Sequence, residues 1–424
     1  MARILVSAMP FTGHVTPTLT VAAELVARGH DVRFYTGGAF AERVAASGAR
    51  FVPWQAAPDF DENDLSATFP RLIGKKGLSQ LLINVQDVFI DTAPAQVADL
   101  RDEFARDPWD VVMGDEVSVG AVLFQELQPT RHATLAVLPL NLAGTQGPPS
   151  GMGLLPGRNP FTKARDAVLR SAVPLISRPI LGPMARARAA VGLPPTKLTF
   201  EKIVFSKELV IATGSPILDY DRSDRPDHLH FVGRLTPAAA APGPLPDWWR
   251  DLDGRTVVHV TQGTQNIDPS DLFRPTLEAL ADRDVLVVVA TGIPGHDALP
   301  FRVAGNVRVA GFLPYEQLLP RVDVMITNGG WGGTLAALSH GIPLVIAGGD
   351  LDKPEIAARV AWSGAGVNLR TGTPTSAQVA AGFDRVVSEP SFRDAATSVA
   401  AELRPLGGAA RAAELVEDLV GVGR

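Results

Sequence analysis

Short unbroken apolar runs recur along the chain, separated by segments whose apolar residues fall every three or four positions. Arg3–Ser7 is such a run; a loop holding Gly13, a helix-period stretch and then "DVRFYTG" follow it. Residues 256–261 open the same order of events again, with a loop holding Gly263, the segment "PSDLFRPTLEALADR" and then "VLVVVATG". Each half continues with further runs: "DVVMGD" and "TRHATLAV" in the first, "NVRVAGF", "VDVMITN" and "PLVIAG" in the second. Runs without alternation fit parallel strands covered on both faces. A strand–loop–helix–strand opening is how an α/β domain begins. The pattern predicts an α/β protein of two Rossmann-like, doubly wound domains.

Between the halves, residues 235–249 read "LTPAAAAPGPLPDWW", a composition of linkers. The expected division is an N-terminal domain over 1–234, that linker, a C-terminal domain over 250–405, and an amphipathic helix over 406–424 returning to the first domain. Open α/β sheets bind ligands beyond the carboxyl ends of their strands, so a cleft between two such domains is the expected site. The apolar stretch 172–184, "AVPLISRPILGPM", carries three prolines and is expected as a loop.

Composition narrows the function. With 424 residues, 46% hydrophobic and 20% charged, the chain is an ordinary globular protein with room for more than one core. A net charge of −6 gives nucleic acid no electrostatic footing. The lack of cysteine removes disulfides, thiolate catalysis and Cys–zinc sites, and fits the cytoplasm. The first apolar run has strand length, too short for a signal peptide, and no run of about 18 apolar residues offers a membrane span.

The stretch "VMITNGGWGGTLAALSHGIP" leaves a strand through four glycines around one tryptophan before a helix. The pattern predicts a strand over 322–327, a loop over 328–333 and a helix from Thr334 that ends at Gly341. A glycine-rich turn at a helix N-terminus offers free N–H groups and the positive end of the helix dipole, an anion site suited to phosphate. Neither G-x-x-x-x-G-K-[ST] nor G-x-G-x-x-G is present, so a P-loop and a dinucleotide fingerprint are unsupported.

The stretch "NGGWGGTLAALSHGIPLVIAGGDLDK" resembles the nucleotide-diphosphate-sugar signature of the family 1 glycosyltransferases, which have the two-domain GT-B fold. "FTGHVTP", "VVMGDE", "FVGRL", "HVTQGT" and "GFLPYEQLLP" match the same family in order, over nearly the whole chain. The resemblance implies that Asn328, Gly332, Gly333 and Thr334 hold a donor diphosphate, with Gly329 and Gly330 completing the loop and Trp331 packing over it. It implies that Phe312 with Leu313 stacks on the nucleobase, that Gly263 and Thr264 line the phosphate side, and that Asp352 and Lys353 grip sugar hydroxyls. Three positions depart from the family pattern. Asn328 replaces a histidine, so it can donate a hydrogen bond but adds no positive charge. Ala336 replaces the glutamate that grips the ribose, which favours deoxythymidine over uridine. Lys353 replaces a glutamine and leaves the sugar open.

Sugar transfer to a hydroxyl needs a base. His14 is the candidate, in the loop after the first strand and just ahead of Thr16–Pro17, an N-cap and N1 pair. Asp115, ending "WDVVMGD", is the partner expected to fix its tautomer and stabilise the imidazolium; Glu116 is the alternative partner. A single displacement by the acceptor inverts the anomeric carbon. No metal site or cofactor is expected beyond the nucleotide sugar as donor substrate; Asp350 and Asp352 read as sugar contacts. Trp54, Phe60, Phe69, Met152, Leu154 and Phe161, in long Gly- and Pro-bearing loops, are candidates to line an apolar acceptor pocket or to anchor those loops. The expected function is inverting transfer from a UDP- or dTDP-sugar to an apolar natural product such as a polyketide, macrolide or flavonoid, by a monomer or homodimer. The rivals are a nucleotide-sugar epimerase and a non-catalytic nucleotide-sugar-binding protein.

Overall fold

The structure, a computed structural model, describes residues 1–75, 77–142, 144–237, 245–263, 268–293 and 295–421. Thr264 and much of the linker therefore lie outside the described residues. Seven strands form the first sheet: β1 (Arg3–Ser7), β2 (Asp31–Thr36), β3 (Arg50–Pro53), β4 (Val111–Asp115), β5 (Arg131–Ala136), β6 (Leu209–Thr213) and β7 (Leu229–Gly233). Six form the second: β8 (Val257–Thr261), β9 (Leu286–Ala290), β10 (Val307–Ala310), β11 (Val324–Thr327), β12 (Leu344–Ile346) and β13 (Gly366–Asn368). Their orders are β3-β2-β1-β4-β5-β6-β7 and β10-β9-β8-β11-β12-β13, and every strand pair is parallel. The chain is α/β with two doubly wound sheets.

The unalternated runs have a direct cause. Leu5 enters the core on one face of the first sheet while Ile4 and Val6 enter the core on the other. Met325 and its neighbours Val324 and Ile326 divide the same way in the second sheet. Helices cover both faces, so both sets of side chains must be apolar. In each sheet the strand order reverses beside the first strand of its half, between β1 and β4 and between β8 and β11. Crevices open at such switch points, at the carboxyl ends of the strands.

The helix Gly408–Val420 packs on the first sheet. Its Ala412, Ala413, Leu415 and Val416 share a core with Ile4, Val6 and Leu209, and Glu417 meets Arg28 at 3.0 Å and His30 at 2.9 Å.

Three local expectations need correction. The helix after β1 spans Thr12–Ala27, so His14 stands in its first turn and not in a loop, and Pro17 lies inside it. Its N-cap Phe11 supplies no side-chain bond; Glu62, far along the chain, takes the Thr12 N–H at 2.9 Å instead. The helix after β11 begins at Trp331, so Gly332 and Gly333 are helical and the loop is only residues 328–330. Finally, 172–184 is not a loop: it belongs to the helices Pro160–Ile176 and Arg178–Ala190. Pro179 sits in a first turn, where the missing N–H has no intrahelical acceptor to lose.

Candidate active site

The first half of the site grows from the β1/β4 switch point. Asp115 ends β4 and is 1% exposed. Its Oδ2 accepts the Met9 N–H at 2.8 Å and its Oδ1 the Val117 N–H at 2.9 Å, so the backbone beyond both strands fixes the carboxylate. His14 Nδ1 lies 3.2 Å from Asp115 Oδ2, an ion-pair distance, although the angle falls short of a hydrogen bond. Burial pulls the imidazole pKa down, but Asp115, with Glu116 and Asp352 behind it, more than reverses this and raises it to about 9.

Glu116 sits next to this pair, and one ligand atom from each of His14, Asp115 and Glu116 falls within a 4.8 Å cluster. Both Glu116 oxygens accept backbone bonds, from Val137 N–H at 3.0 Å and Leu138 N–H at 2.7 Å. Burial lifts its carboxyl to about 7, against the pull of His14. Asp115 and Glu116 are thus each held by two backbone amides beside the imidazole. Glu116 joins Asp115 as a member of the site, where the sequence allowed it only as a substitute.

The second half grows from the β8/β11 switch point. Gly263 follows β8 with φ +74°, and a Cβ there would stand 3.7 Å from Asn328 Oδ1. The Asn328 side-chain amide donates to the Gln262 carbonyl, and Asn328 N–H to the Thr261 carbonyl at 3.3 Å, tying the two strand ends together. The glycines now separate by cause. Gly329 has φ +91°, and a Cβ there would come 2.8 Å from Ile346, so packing demands it. Gly330 (φ −62°) and Gly332 need no glycine for packing, and a Cβ on either would meet open space within 4 Å. Their lack of side chains leaves the helix N-terminus uncovered among the described residues. The first intrahelical bond runs from Thr334 N–H to Gly330 O at 2.9 Å, so the amides of Trp331, Gly332 and Gly333 precede it. Among the described residues, Asn328 Oδ1 and Thr334 Oγ1 are buried here without a partner, polar atoms poised for a ligand.

Trp331 packs between the domains. It is 5% exposed, and its indole N–H crosses to the first domain to donate to Thr213 Oγ1 at 2.9 Å. Phe312 follows β10 with 68% of its surface exposed, free to stack on a planar ring, whereas Leu313 is buried beneath it. Ala336 is buried in the second core. Asp350 and Asp352 follow β12, and Lys353 Nζ reaches Asp350 at 3.3 Å. Burial raises the Asp352 carboxyl, and His14 and Asp352 influence each other electrostatically across the two halves of the site.

Between the domains lies a cavity of about 110 Å³, lined by Glu116, Leu138, Phe200 and Phe205 from the first and by Asp352 and Glu355 from the second. Phe200, which starts the helix Phe200–Val204, and Phe205, which follows it, were not among the sequence candidates. The structure gives those candidates other places. Trp54, Phe60 and Phe69 are buried in a ladder of rings, Trp54–Phe60 at 5.8 Å and Phe60–Phe69 at 5.4 Å, that anchors the loop. Phe11 extends the ladder to His14, 5.2 Å from Phe60 and 5.9 Å from the imidazole. Met152 and Leu154 lie in the loop whose Gly151 and Gly153 amides bond Glu355 at 3.1 and 3.0 Å, beside the cavity. Phe161 is 88% exposed on the helix Pro160–Ile176.

The domains meet through a buried arginine. Arg359 bonds Asp219 Oδ1 at 2.6 Å, the Leu140 carbonyl at 2.8 Å and Glu355 at 3.0 Å. Among the described residues no helix is long and apolar enough to cross a membrane.

Residues 274–421 match the C-terminal domain of the erythromycin biosynthesis protein CIII-like family. Over 99% of this chain and 100% of the relative, the sequence is 38% identical to 4'-demethylrebeccamycin synthase of Lentzea aerocolonigenes. Among solved structures, the glycotransferase of kitacinnamycin superposes with a TM-score of 0.75 at 22% identity, covering 99% of both chains. The spinosyn rhamnosyltransferase SpnG, solved with thymidine diphosphate, superposes with a TM-score of 0.69 at 18% identity over 98% of this chain and 100% of its own.

Proposed function

The chain belongs to the family 1 glycosyltransferases of bacterial natural-product type, and from that premise we propose that it moves a sugar from a thymidine or uridine diphosphate donor to a hydroxyl of an apolar small molecule, with inversion. That it is a glycosyltransferase follows from its relatives; donor, acceptor and stereochemistry are the proposal. One observation carries it: an imidazole–carboxylate pair stands at one switch point, a glycine-lined helix N-terminus stands at the other, and one cavity between the domains is lined by Glu116 from the first half and Asp352 from the second.

In this reading the diphosphate lies on the amides of Trp331, Gly332 and Gly333, with Asn328 and Thr334 contacting its oxygens. Nδ1 of His14 faces Asp115 and keeps its proton, which leaves the lone pair on Nε2 to receive the acceptor proton. The acceptor oxygen forms its bond to the anomeric carbon as the bond to the diphosphate breaks. The departing electrons settle on phosphate oxygens held by the helix dipole. His14 ends as imidazolium beside Asp115, the form its surroundings favour. Glu116 and the phenylalanines of the cavity hold the acceptor's apolar body next to this pair.

The epimerase and non-catalytic readings gain no support from the relatives. A screen of nucleoside-diphosphate release over a panel of donors and acceptors tests the proposal. Release must depend on an acceptor and yield a glycoside of inverted anomeric configuration. His14→Ala should lower kcat by about 10²–10⁴-fold with donor affinity nearly unchanged. A sugar converted without any acceptor, or a near-native rate in His14→Ala, would sink it.

A further inference from the structure

The helix Pro160–Ile176 carries an apolar stripe on its outward face. A helix on a protein surface turns its apolar stripe inward. Here Phe161, Val168 and Leu175 recur every seven residues on one face, and all three are exposed, at 88%, 67% and 59%. Ile176 beside them is 50% exposed. The inward side mixes half-buried Leu169, Ala172 and Val173 with polar groups. Asp166 is 2% exposed and accepts the Gly157 N–H at 2.7 Å, and the Arg170 guanidinium reaches the Gly147 carbonyl. The arrangement is not a frayed end, because a capping box between Asn159 and Thr162 starts the helix. Four large apolar side chains at one place is a surface built to be covered.

Charge says what covers it. Between residues 151 and 200 stand eight Lys and Arg and one acid, the buried Asp166, in a chain whose net charge is −6; of the eight, Arg188 is buried against Glu126 and Arg165 pairs with Asp166. Lys163, Arg178 and Arg186 are exposed around the stripe. A second copy of the same face would bring these like charges together. An anionic lipid surface would meet them with opposite charge while its acyl boundary takes up the phenylalanine and aliphatic groups.

We propose that this helix, with the basic start of the helix Arg178–Ala190, is a peripheral docking surface for anionic membranes. It needs no transmembrane segment: the apolar stripe enters the interface and the cations face the headgroups. The loop preceding the helix runs through Gly151 and Gly153 to Glu355 at the cavity. Docking here therefore brings the cavity mouth to the surface where apolar molecules concentrate. The binding itself does not depend on the identity of donor or acceptor.

Vesicle sedimentation of the full chain tests this, with vesicles of equimolar phosphatidylglycerol and phosphatidylcholine against pure phosphatidylcholine. The expected result is binding to the anionic vesicles that weakens steeply with added salt, and at least about tenfold weaker binding to the neutral ones. Val168→Asp with Leu175→Asp should lose about tenfold or more in vesicle affinity, and Lys163→Gln with Arg178→Gln a smaller but measurable factor. All four positions are on the surface, and an unchanged melting temperature confirms the fold. Equal binding to both vesicle types, or none to either, overturns the proposal. So does anionic binding that the double aspartate variant leaves intact. A lipid-free dimer that this variant dissociates would assign the stripe to a second copy and overturn it as well.

Discussion

The pKa of His14 sets how the rate must respond to pH. A rise from the ordinary 6.5 to about 9 means that its surroundings favour the imidazolium by about 3 kcal/mol. That preference helps the transition state, in which the ring gains a proton, but it also leaves only about one molecule in a hundred with a free base at pH 7. The observed kcat/KM should therefore climb about tenfold per pH unit from pH 6 and level off near 9. A bound diphosphate adds negative charge near the ring, so the limb in kcat should lie higher than that in kcat/KM. Asp115→Asn removes the main raising influence and leaves burial, which lowers the pKa, against the smaller pull of Glu116 and Asp352. Its profile should level off at a pH clearly below that of the wild type, at a lower plateau, because the imidazolium formed in the transition state has lost its partner. The assay is initial-rate diphosphate release over pH 6–10 with one donor and one acceptor, using overlapping buffers. A wild-type profile flat from 6 to 9, or an Asp115→Asn limb that stays near 9, refutes the assignment of base and partner.

Four further outcomes follow from the same geometry. His14 has a folded pKa above its unfolded value, so its stabilisation is complete below about 6.5 and is lost as pH rises through about 9; urea unfolding across that window should show a fall of up to about 3 kcal/mol that His14→Asn removes. Phe312→Ala should weaken binding of the nucleoside diphosphate about tenfold by calorimetry, with kcat nearly constant, because an exposed ring above the cradle serves binding and not chemistry. With an alanine at 336, thymidine diphosphate glucose should have a kcat/KM at least equal to that of uridine diphosphate glucose; a uridine preference well above tenfold would contradict this. Arg359→Leu should cost about 3 kcal/mol in urea unfolding, because it strips a buried cation from Asp219 and Glu355 at the domain boundary.

What the sequence revealed and what it hid have separate physical causes. The runs "ILVS", "VVHVT" and "VMIT" announce themselves because a strand covered on both faces has no polar alternate positions. Their order along the chain then suffices to place His14 and Asn328 near the ends of central strands. Helix starts were hidden where the cap is not local: Thr12 is capped by Glu62, and the helix at Trp331 begins from Gly330 without any side-chain bond. The prolines of 172–184 look like breakers, yet Pro179 fits a first turn, Pro183 is buried inside its helix, and Pro174 lies inside the other helix with its ring exposed. Glu116, Phe11 and Phe205 join the site through contacts across elements, which no spacing along the chain encodes. The apolar stripe of Phe161, Val168 and Leu175 has an ordinary helical period; its outward direction exists only in three dimensions.

The contact of Trp331 with Thr213 bears on recombining enzymes of this kind by exchanging halves. Gly214 has φ +89°, and a Cβ there would stand 2.9 Å from the Trp331 ring, so any side chain at 214 collides with the tryptophan. A cut in the linker carries Trp331 onto a foreign partner half, where it requires a hydroxyl and then a glycine at the receiving strand end. The helix Gly408–Val420 adds a second constraint, because it is encoded last but packs with the first sheet. A working hybrid therefore needs two crossovers, one before β8 and one after the helix Pro390–Leu403, with the host's residues 213 and 214 matched to the incoming tryptophan.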